Sequence, residues 1–426
     1  MSEARHMNRD VPFRPAWAAI LLARWLIEIV KLPLLMAVAW ASRLARRPVD
    51  VGLGPTPMIN NVYHQQALRQ YGYSAETFVD TLYYITDEFD WKFIASTALG
   101  RRLMNECHFV FLFAIFRYRA LYLYFTGGPL QATAMLWRFE PLLYRIAGIR
   151  TVVMPFGGDV HDLRQTRNLL FRHAMARDYP LHRVRQDAIR AKIGAWSRHA
   201  SHVISGCDWV EYMPYWDTLM LAHFSIDTGR WRPPEAQRGG RDPGRPLRVL
   251  HAPNHREIKG SRHFIDAARR LREEGVAIEL TILERVPNSE IRKAIAEADV
   301  VADQLIVGWY AMFALEAMSM GKPVICYLRE DFLHFYEAAG LVHKDEIPII
   351  NCRPADVVDT LRRLATTERD TLGDLGARGV AFVNKHHSVE AVGRVFDRIN
   401  RSLGVLPSSA GTAPDARANG SMERRS

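Results

Sequence analysis

From residue 50 onward, short apolar runs alternate with longer stretches in which apolar positions recur every three or four residues. The first are the mark of strands buried on both faces and the second of helices laid against them, so the pattern predicts a parallel sheet covered by helices. Strands are expected over 51–59, 77–83, 120–125, 151–156 and 202–205, with helices between them, among them 63–71 and 131–146. The periodicity then stops. Residues 230–246, RWRPPEAQRGGRDPGRP, are rich in Pro, Gly and Arg and are expected to form a linker. A second set follows, with strands over 247–251, 278–283, 300–303, 323–327 and 347–351 and helices over 261–274, 289–297, 311–320, 355–364 and 388–403. The fold class is therefore α/β, with two doubly wound, Rossmann-like domains over 50–229 and 247–404. Residues 405–426, mostly Ser, Ala, Gly, Pro and Arg, are expected to be a disordered tail.

Residues 1–49 break the pattern. Trp17, Ile20, Leu21, Leu22, Trp25, Leu26, Ile27, Ile29 and Val30 make a helix apolar almost all round, whose charges Arg24, Glu28 and Lys31 form one narrow stripe at i, i+4 and i+7. In that stripe Glu28 is placed to pair with either neighbour. A membrane-spanning helix needs about 20 mostly apolar residues, and Pro33 interrupts this run. Two readings stand. One is a pair of interfacial helices on the anionic inner face of the cell membrane, with Trp17, Trp25 and Trp40 at the interface and Arg43, Arg46 and Arg47 at headgroup level. The other is a helix buried against the first domain.

Composition narrows the class. At 426 residues, 48% hydrophobic and 24% charged, the chain is neither disordered nor fibrous. Fifty-six Lys and Arg against 46 Asp and Glu give a net charge of +10, which points to anionic partners. No nucleic-acid-binding motif accompanies the charge, so phosphates of nucleotides or lipids are the expected partners. Cys107, Cys207, Cys326 and Cys352 form no CxxC pair and no zinc spacing, which fits a reducing compartment. The charges inside the N-terminal apolar run do not suit a signal peptide, so a cytoplasmic protein, peripheral to the membrane, is expected.

Two such domains place a ligand in the cleft between the carboxyl ends of their strands. The most informative segment is 302–327, ADQLIVGWYAMFALEAMSMGKPVICY. A strand ends near Asp303, a loop carries Gly308, and a helix opens near Trp309, Tyr310 and Ala311, offering free N–H groups and a positive dipole end to a phosphate. Glu316 lies one to two turns inside, where a carboxylate accepts hydrogen bonds from ribose hydroxyls; alone, it also reads as a solvated helix glutamate.

This segment, together with HAPNHREIKGSRHFIDAARRL over 251–271, resembles the C-terminal domain of GT-B glycosyltransferases, most closely the retaining family 4 (group 1) type. Lys259-Gly260 opening a helix, Glu297-Ala298-Asp299-Val300 entering a strand, and Leu315-Glu316-Ala317-Met318 followed by Gly321-Lys322-Pro323-Val324 occur in the family's order. Phe156-Gly157-Gly158-Asp159-Val160-His161 resembles the loop that faces the acceptor and donor sugar. The resemblance implies a GT-B enzyme that moves a sugar from a nucleotide sugar to a glycan or lipid-linked acceptor, with retention, in cell-surface polysaccharide or glycolipid synthesis. It implies no cofactor and no metal, with Lys259 and Arg256 neutralising the diphosphate. Glu316, Trp309, Tyr310, Gly308, Asn254 and Ala311 are then the donor side, and Asp159 and His161 bind sugar or acceptor hydroxyls or assist proton removal. Asn60, Asn61, Gly127 and Gly158 are the acceptor-side candidates. The chain departs from the family in having Gly308 where the first of two glutamates eight positions apart would stand, and Asn254 near the place of the usual arginine. That departure keeps a second class open, a non-catalytic GT-B subunit that binds a partner or lipid, and a GT-B sugar-nucleotide epimerase remains possible on fold grounds.

Overall fold

The computed structural model describes residues 15–82, 86–94, 105–233 and 245–408, so most of the expected linker and tail lie outside the described residues. One sheet holds β1 (Val49–Leu53), β2 (Ala75–Val79), β3 (Trp91–Lys92), β4 (Tyr118–Tyr124), β5 (Arg150–Met154), β6 (His202–Ser205) and β7 (Thr218–Leu219). Its order is β3-β2-β1-β4-β5-β6-β7, and every pairing is parallel. The other holds β8 (Leu247–His251), β9 (Ile278–Ile282), β10 (Val300–Ala302), β11 (Val324–Cys326) and β12 (Ile349–Asn351), in the parallel order β12-β11-β10-β8-β9. The order reverses between β1 and β4 in the first sheet and between β8 and β10 in the second. Connections leave those strand pairs toward opposite faces, which opens a crevice at their carboxyl ends.

The described helices are α1 (Pro15–Ala41), α2 (Ile59–Gln70), α3 (Asn105–Arg117), α4 (Glu140–Ala147), α5 (Leu169–Asp178), α6 (Gln186–His199), α7 (Arg256–Lys259), α8 (Ser261–Glu273), α9 (Asn288–Glu297), α10 (Met312–Ser319), α11 (Glu330–Ala338), α12 (Val357–Thr366), α13 (Leu372–His386) and α14 (Val389–Ser402). Alternation along each strand divides the core between the two faces of its sheet. In β4, Ala120, Tyr122 and Tyr124 join Val392 and Phe396 of α14, while Leu121 and Leu123 join Phe111 of α3 and Leu143 of α4. In the second sheet Leu247, Val249, Val300 and Ala302 pack with Phe264 of α8 and Leu361 of α12, whereas Leu250, Val301 and Val324 face Ala314 of α10.

Three expectations are corrected. No helix spans 131–146: 3₁₀ turns at Pro129–Ala132 and Leu136–Arg138 precede α4. Two buried carboxylates explain the difference, because Glu140 accepts from the N–H groups of Gly128 and Leu130, and Glu28 from those of Ala134, Met135 and Leu136. Those N–H groups are thereby taken from a regular helix. The last helix, α14, grouped by sequence with the second domain, packs on the first instead: Phe396 meets His64 and Tyr122 edge-on, and Tyr73 and Tyr122 donate to Asp397 and Asn400.

The third concerns the N-terminal segment, which is one continuous helix through Pro33 rather than a pair. Its charged stripe faces the protein: Glu28 is buried, Arg24 donates to the Ala132 carbonyl, and Leu35 and Ala39 are core residues two and three turns on from Glu28. Glu28 therefore caps the 134–136 backbone instead of pairing with Arg24 or Lys31. Arg47, expected at headgroup level, turns inward and donates to the carbonyls of Ile115 and Ala147. No described helix is long and apolar enough to cross a membrane.

Candidate functional site

The second sheet's switch point is built by three short-range devices. His251, ending β8, bridges the Ala302 carbonyl at the end of β10 and the Ser261 hydroxyl at the start of α8, both at 2.8 Å. Burial pushes its imidazole down to about 4, so it serves as a neutral strut. The single turn α7 then presents Lys259 and closes on Gly260 at φ +72°, where a Cβ would meet Leu305 and Ile306 at 3.2 and 3.1 Å. Lys259 Nζ reaches Asp303 Oδ1 at 2.6 Å, and Asp303 Oδ2 accepts the Ala311 N–H at 3.3 Å, just before α10.

Lys259, with Asp303 buried behind it, borders a cavity of about 170 Å³ lined by Ala252, Asn254, Arg285, Asn288, Ala311 and Glu316, with Ile59 of the first domain closing it from across the cleft. Burial pushes the Glu316 carboxyl up to about 8, and the Asp303 charge adds to the rise against the pull of Asn288. The Asn288 amide approaches Glu316 but closes no bond of ordinary geometry, and its Nδ2 is buried without a partner. The pocket thus gathers a cation–carboxylate pair, a second cation, a protonated carboxyl at neutral pH and an unpaired amide donor. That set suits a ligand carrying both anionic and hydroxyl groups.

Of the residues expected on the donor side, Lys259, Asn254, Ala311 and Glu316 are brought together here. Trp309 and Tyr310 are not; α10 begins at Met312, and both rings are buried in the interface between the domains. Trp309 Nε1 donates to the Leu221 carbonyl, and the Tyr310 hydroxyl bonds His387. Arg256 points away, bound to Glu284, and the second cation lining the pocket is Arg285. Arg285 went unnoticed because its place depends on a left-handed backbone (φ +55°) that no local pattern of Glu284-Arg285-Val286 announces. Asp303 carried a usable signal: an acid ending the apolar run Val300-Val301-Ala302 is buried and needs a partner.

Gly308 is explained by its neighbour. Its φ is +99°, and a Cβ there would lie 2.6 Å from Cγ and Cδ of Arg329. The Arg329 stem occupies the space a side chain at 308 would need, while its guanidinium binds Asp331 and, across the cleft, Glu211 at 2.5 Å. Asn168 ties the domains at the same level, capping α5 through Oδ1 and donating to the Ile306 carbonyl at 2.7 Å.

In the first domain, Asp159 is a brace: its carboxylate accepts from the N–H groups of Phe125, Phe156 and Gly157, each at 3.0 Å, and burial pushes it up to about 6. His161 donates from Nε2 to Asp208 at 2.9 Å, and both are buried. Neither lines the cavity around Glu316. Asn60 and Asn61, in the first turn of α2, are buried with their side-chain oxygens unpartnered, as is the hydroxyl of Tyr124 at the end of β4. Gly127 (φ +111°) and Gly128 turn the chain over Glu140, a carboxyl that burial pushes up to about 7, whereas a Cβ at Gly158 would meet Phe156 at an ordinary 3.9 Å. Among the described residues no group of three or more His, Cys, Asp or Glu is arranged to hold a metal ion.

No family model matches the chain, and no curated protein sequence matches it significantly. Among solved structures, sucrose-phosphate synthase (tll1590) from Thermosynechococcus elongatus is similar over 84% of this chain and 99% of its own, at 13% identity and a TM-score of 0.55. Staphylococcus aureus MnaA, solved with UDP, is similar over 85% and 98% at 12% identity and a TM-score of 0.46. The C-terminal domain of a glycosyl transferase group 1 family protein (LpcC) from Francisella tularensis is similar over 38% of this chain and 99% of its own, at 16% identity and a TM-score of 0.28. Two parallel, doubly wound sheets facing a cleft, in the arrangement shared with the sucrose-phosphate synthase, give this chain the GT-B fold.

Proposed function

We propose that the chain is a glycosyltransferase that takes a nucleotide sugar in the pocket around Lys259 and Glu316 and passes the sugar, with retention, to a glycan or lipid-linked acceptor held by the first domain. The observation that carries this reading is the pocket itself: Lys259, Arg285, Asn288 and Glu316 converge at the switch point of the second sheet, across from Ile59 of the first. In the reaction the bond between the anomeric carbon and the diphosphate breaks and the bond to an acceptor oxygen forms. The electron pair leaves with the diphosphate, where Lys259 and Arg285 offset the developing charge, and the acceptor's proton leaves with it or passes to a base of the first domain. Cations of the protein fill the role without a metal in this reading. Glu316 and Asn288 are assigned to the ribose hydroxyls. The assignment suits a cytoplasmic enzyme at the inner face of the membrane, in cell-surface polysaccharide or glycolipid synthesis.

Melting the chain with saturating UDP-, GDP-, ADP- and dTDP-sugars tests the donor site. A ligand at about 100 times its Kd stabilises the native state by roughly 2.7 kcal/mol, and Glu316→Ala should abolish that gain while leaving the unliganded protein folded. Flat melting curves with every donor would count against the reading.

One observation favours a second reading, a GT-B subunit that binds without catalysing transfer. Gly308 offers no side chain to a donor sugar, and Arg329 beside it is bound to Glu211 and Asp331. Nucleotide binding without release of nucleoside diphosphate would select it.

A further inference from the structure

The helix α1 is amphipathic in the reverse sense to a surface helix of a water-soluble domain. Arg24, Glu28, Leu35 and Ala39 turn toward the protein, while Leu22, Leu26, Val30, Leu34 and Trp40 face outward, from 57% exposed at Leu26 to 77% at Val30. From Leu22 to Trp40, 19 residues of the helix, this makes an apolar ridge of about 28 Å. Leu44, 85% exposed, extends it past the helix end. A contiguous apolar surface of this length is a binding face on a soluble protein.

Charge decides what covers it. Glu28 is the sole acidic residue between positions 15 and 47, and it is buried beneath the helix. Arg43 and Arg46 are exposed at the C-terminal end, and Arg24 and Lys31 lie half-buried along the flank. A second copy presents the same single-signed flank and so brings no complementary charge to it, whereas an anionic surface does. We propose that this outer face docks on an anionic lipid bilayer, with α1 lying in the plane of the interface and Arg43 and Arg46 at headgroup level. The inner face stays with the protein, so docking requires no unfolding of α1.

The same helix is wired to the cleft. Glu28 accepts the N–H groups of Ala134, Met135 and Leu136, in the loop that follows Gly127-Gly128 at the carboxyl end of β4. Three hydrogen bonds therefore tie the bilayer-facing helix directly to the acceptor-side loop of the first domain. Docking would bring that loop to the membrane surface, where a lipid-linked acceptor is presented; this last step rests on the glycosyltransferase reading, and the docking itself does not.

The test is sedimentation of the full chain with vesicles of pure phosphatidylcholine and of equimolar phosphatidylcholine and phosphatidylglycerol. Binding to the anionic vesicles, falling as salt is raised, is expected. Arg43→Ala with Arg46→Ala should weaken it roughly thirtyfold, at about 1 kcal/mol per cation. Leu22→Glu with Leu26→Glu and Val30→Glu should abolish it with an unchanged melting temperature, because those side chains touch solvent rather than core. Nucleotide binding, read on the same samples, should be unaffected by either set, so failure of the donor-site reading is separable from failure of docking. A chain that ignores both vesicle types, or one that self-associates in solution through Leu22, Leu26 and Val30, would overturn the proposal.

Discussion

Lys259 Nζ lies 2.6 Å from Asp303 Oδ1, across the point where the strand order of the second sheet reverses. Asp303 is fully buried and the Lys259 side chain is 13% exposed, so the aspartate depends on this one cation and the lysine is held at the pocket wall. The sequence alone suggests that Lys259→Ala harms turnover far more than stability. The pair changes that expectation, because removing the lysine strands a buried carboxylate at a cost on the order of 3 kcal/mol. Lys259→Met combined with Asp303→Leu should recover most of the lost stability in urea denaturation while still failing to bind nucleoside diphosphate. Restored binding in the double variant would remove Lys259 from the donor site.

Gly308 and Arg329 give the second prediction. Gly308→Glu, which reinstates the carboxylate of the family the chain resembles, places a Cβ 2.6 Å from the Arg329 stem on a backbone at φ +99°. Strain of this kind costs about 1–3 kcal/mol. The variant should melt lower and gain no turnover. An active, equally stable Gly308→Glu protein would show that Arg329 does not own the space.

Glu316 gives a pH dependence of defined sign. Its carboxyl sits at about 8 in the folded chain against 4.5 as the ordinary value, so the native state binds that proton more tightly than the unfolded state does. Native stability from this group is intact below pH 4.5 and is lost progressively as pH rises from there through 8. Glu316→Gln keeps the shape and removes the titration. Relative to the parent it should therefore gain stability across that window, by up to about 1.4 kcal/mol per pH unit. Urea midpoints of the two proteins measured in weakly acidic and weakly alkaline buffer check this; a constant offset between them would mean that Glu316 is charged in the native state throughout.

Much of the architecture was legible because it rests on local regularities. Apolar runs such as Leu247–His251 announce doubly buried strands, and Lys259-Gly260 and Glu316-Ala317 keep a recognisable spacing within the second domain. What stayed hidden depends on partners distant in the chain. Nothing local in 131–146 reveals that Glu28, more than a hundred residues earlier, takes its backbone N–H groups, and nothing in α14 reveals that Phe396 docks on His64 of the first domain. For α1 the composition showed a narrow charged stripe but not which way it turns, and the structure turns that stripe toward the first domain and leaves the apolar side exposed. The site suffered in the same manner: Arg256 and Arg285 are equally plausible cations by type, and only the fold shows that Glu284 holds one while the other borders the pocket.

The central claim is that this pocket activates a nucleotide sugar, and release of free nucleoside diphosphate from the stabilising donor tests it most directly. Slow release from one donor alone is expected, accelerated by an extract containing lipid-linked glycans. Arg285→Ala, which removes the other cation lining the pocket without stranding Asp303, should reduce that rate on the order of 100-fold. A donor that binds tightly and stays intact with every acceptor fraction, in a folded protein, would contradict the account and leave the chain a binding subunit.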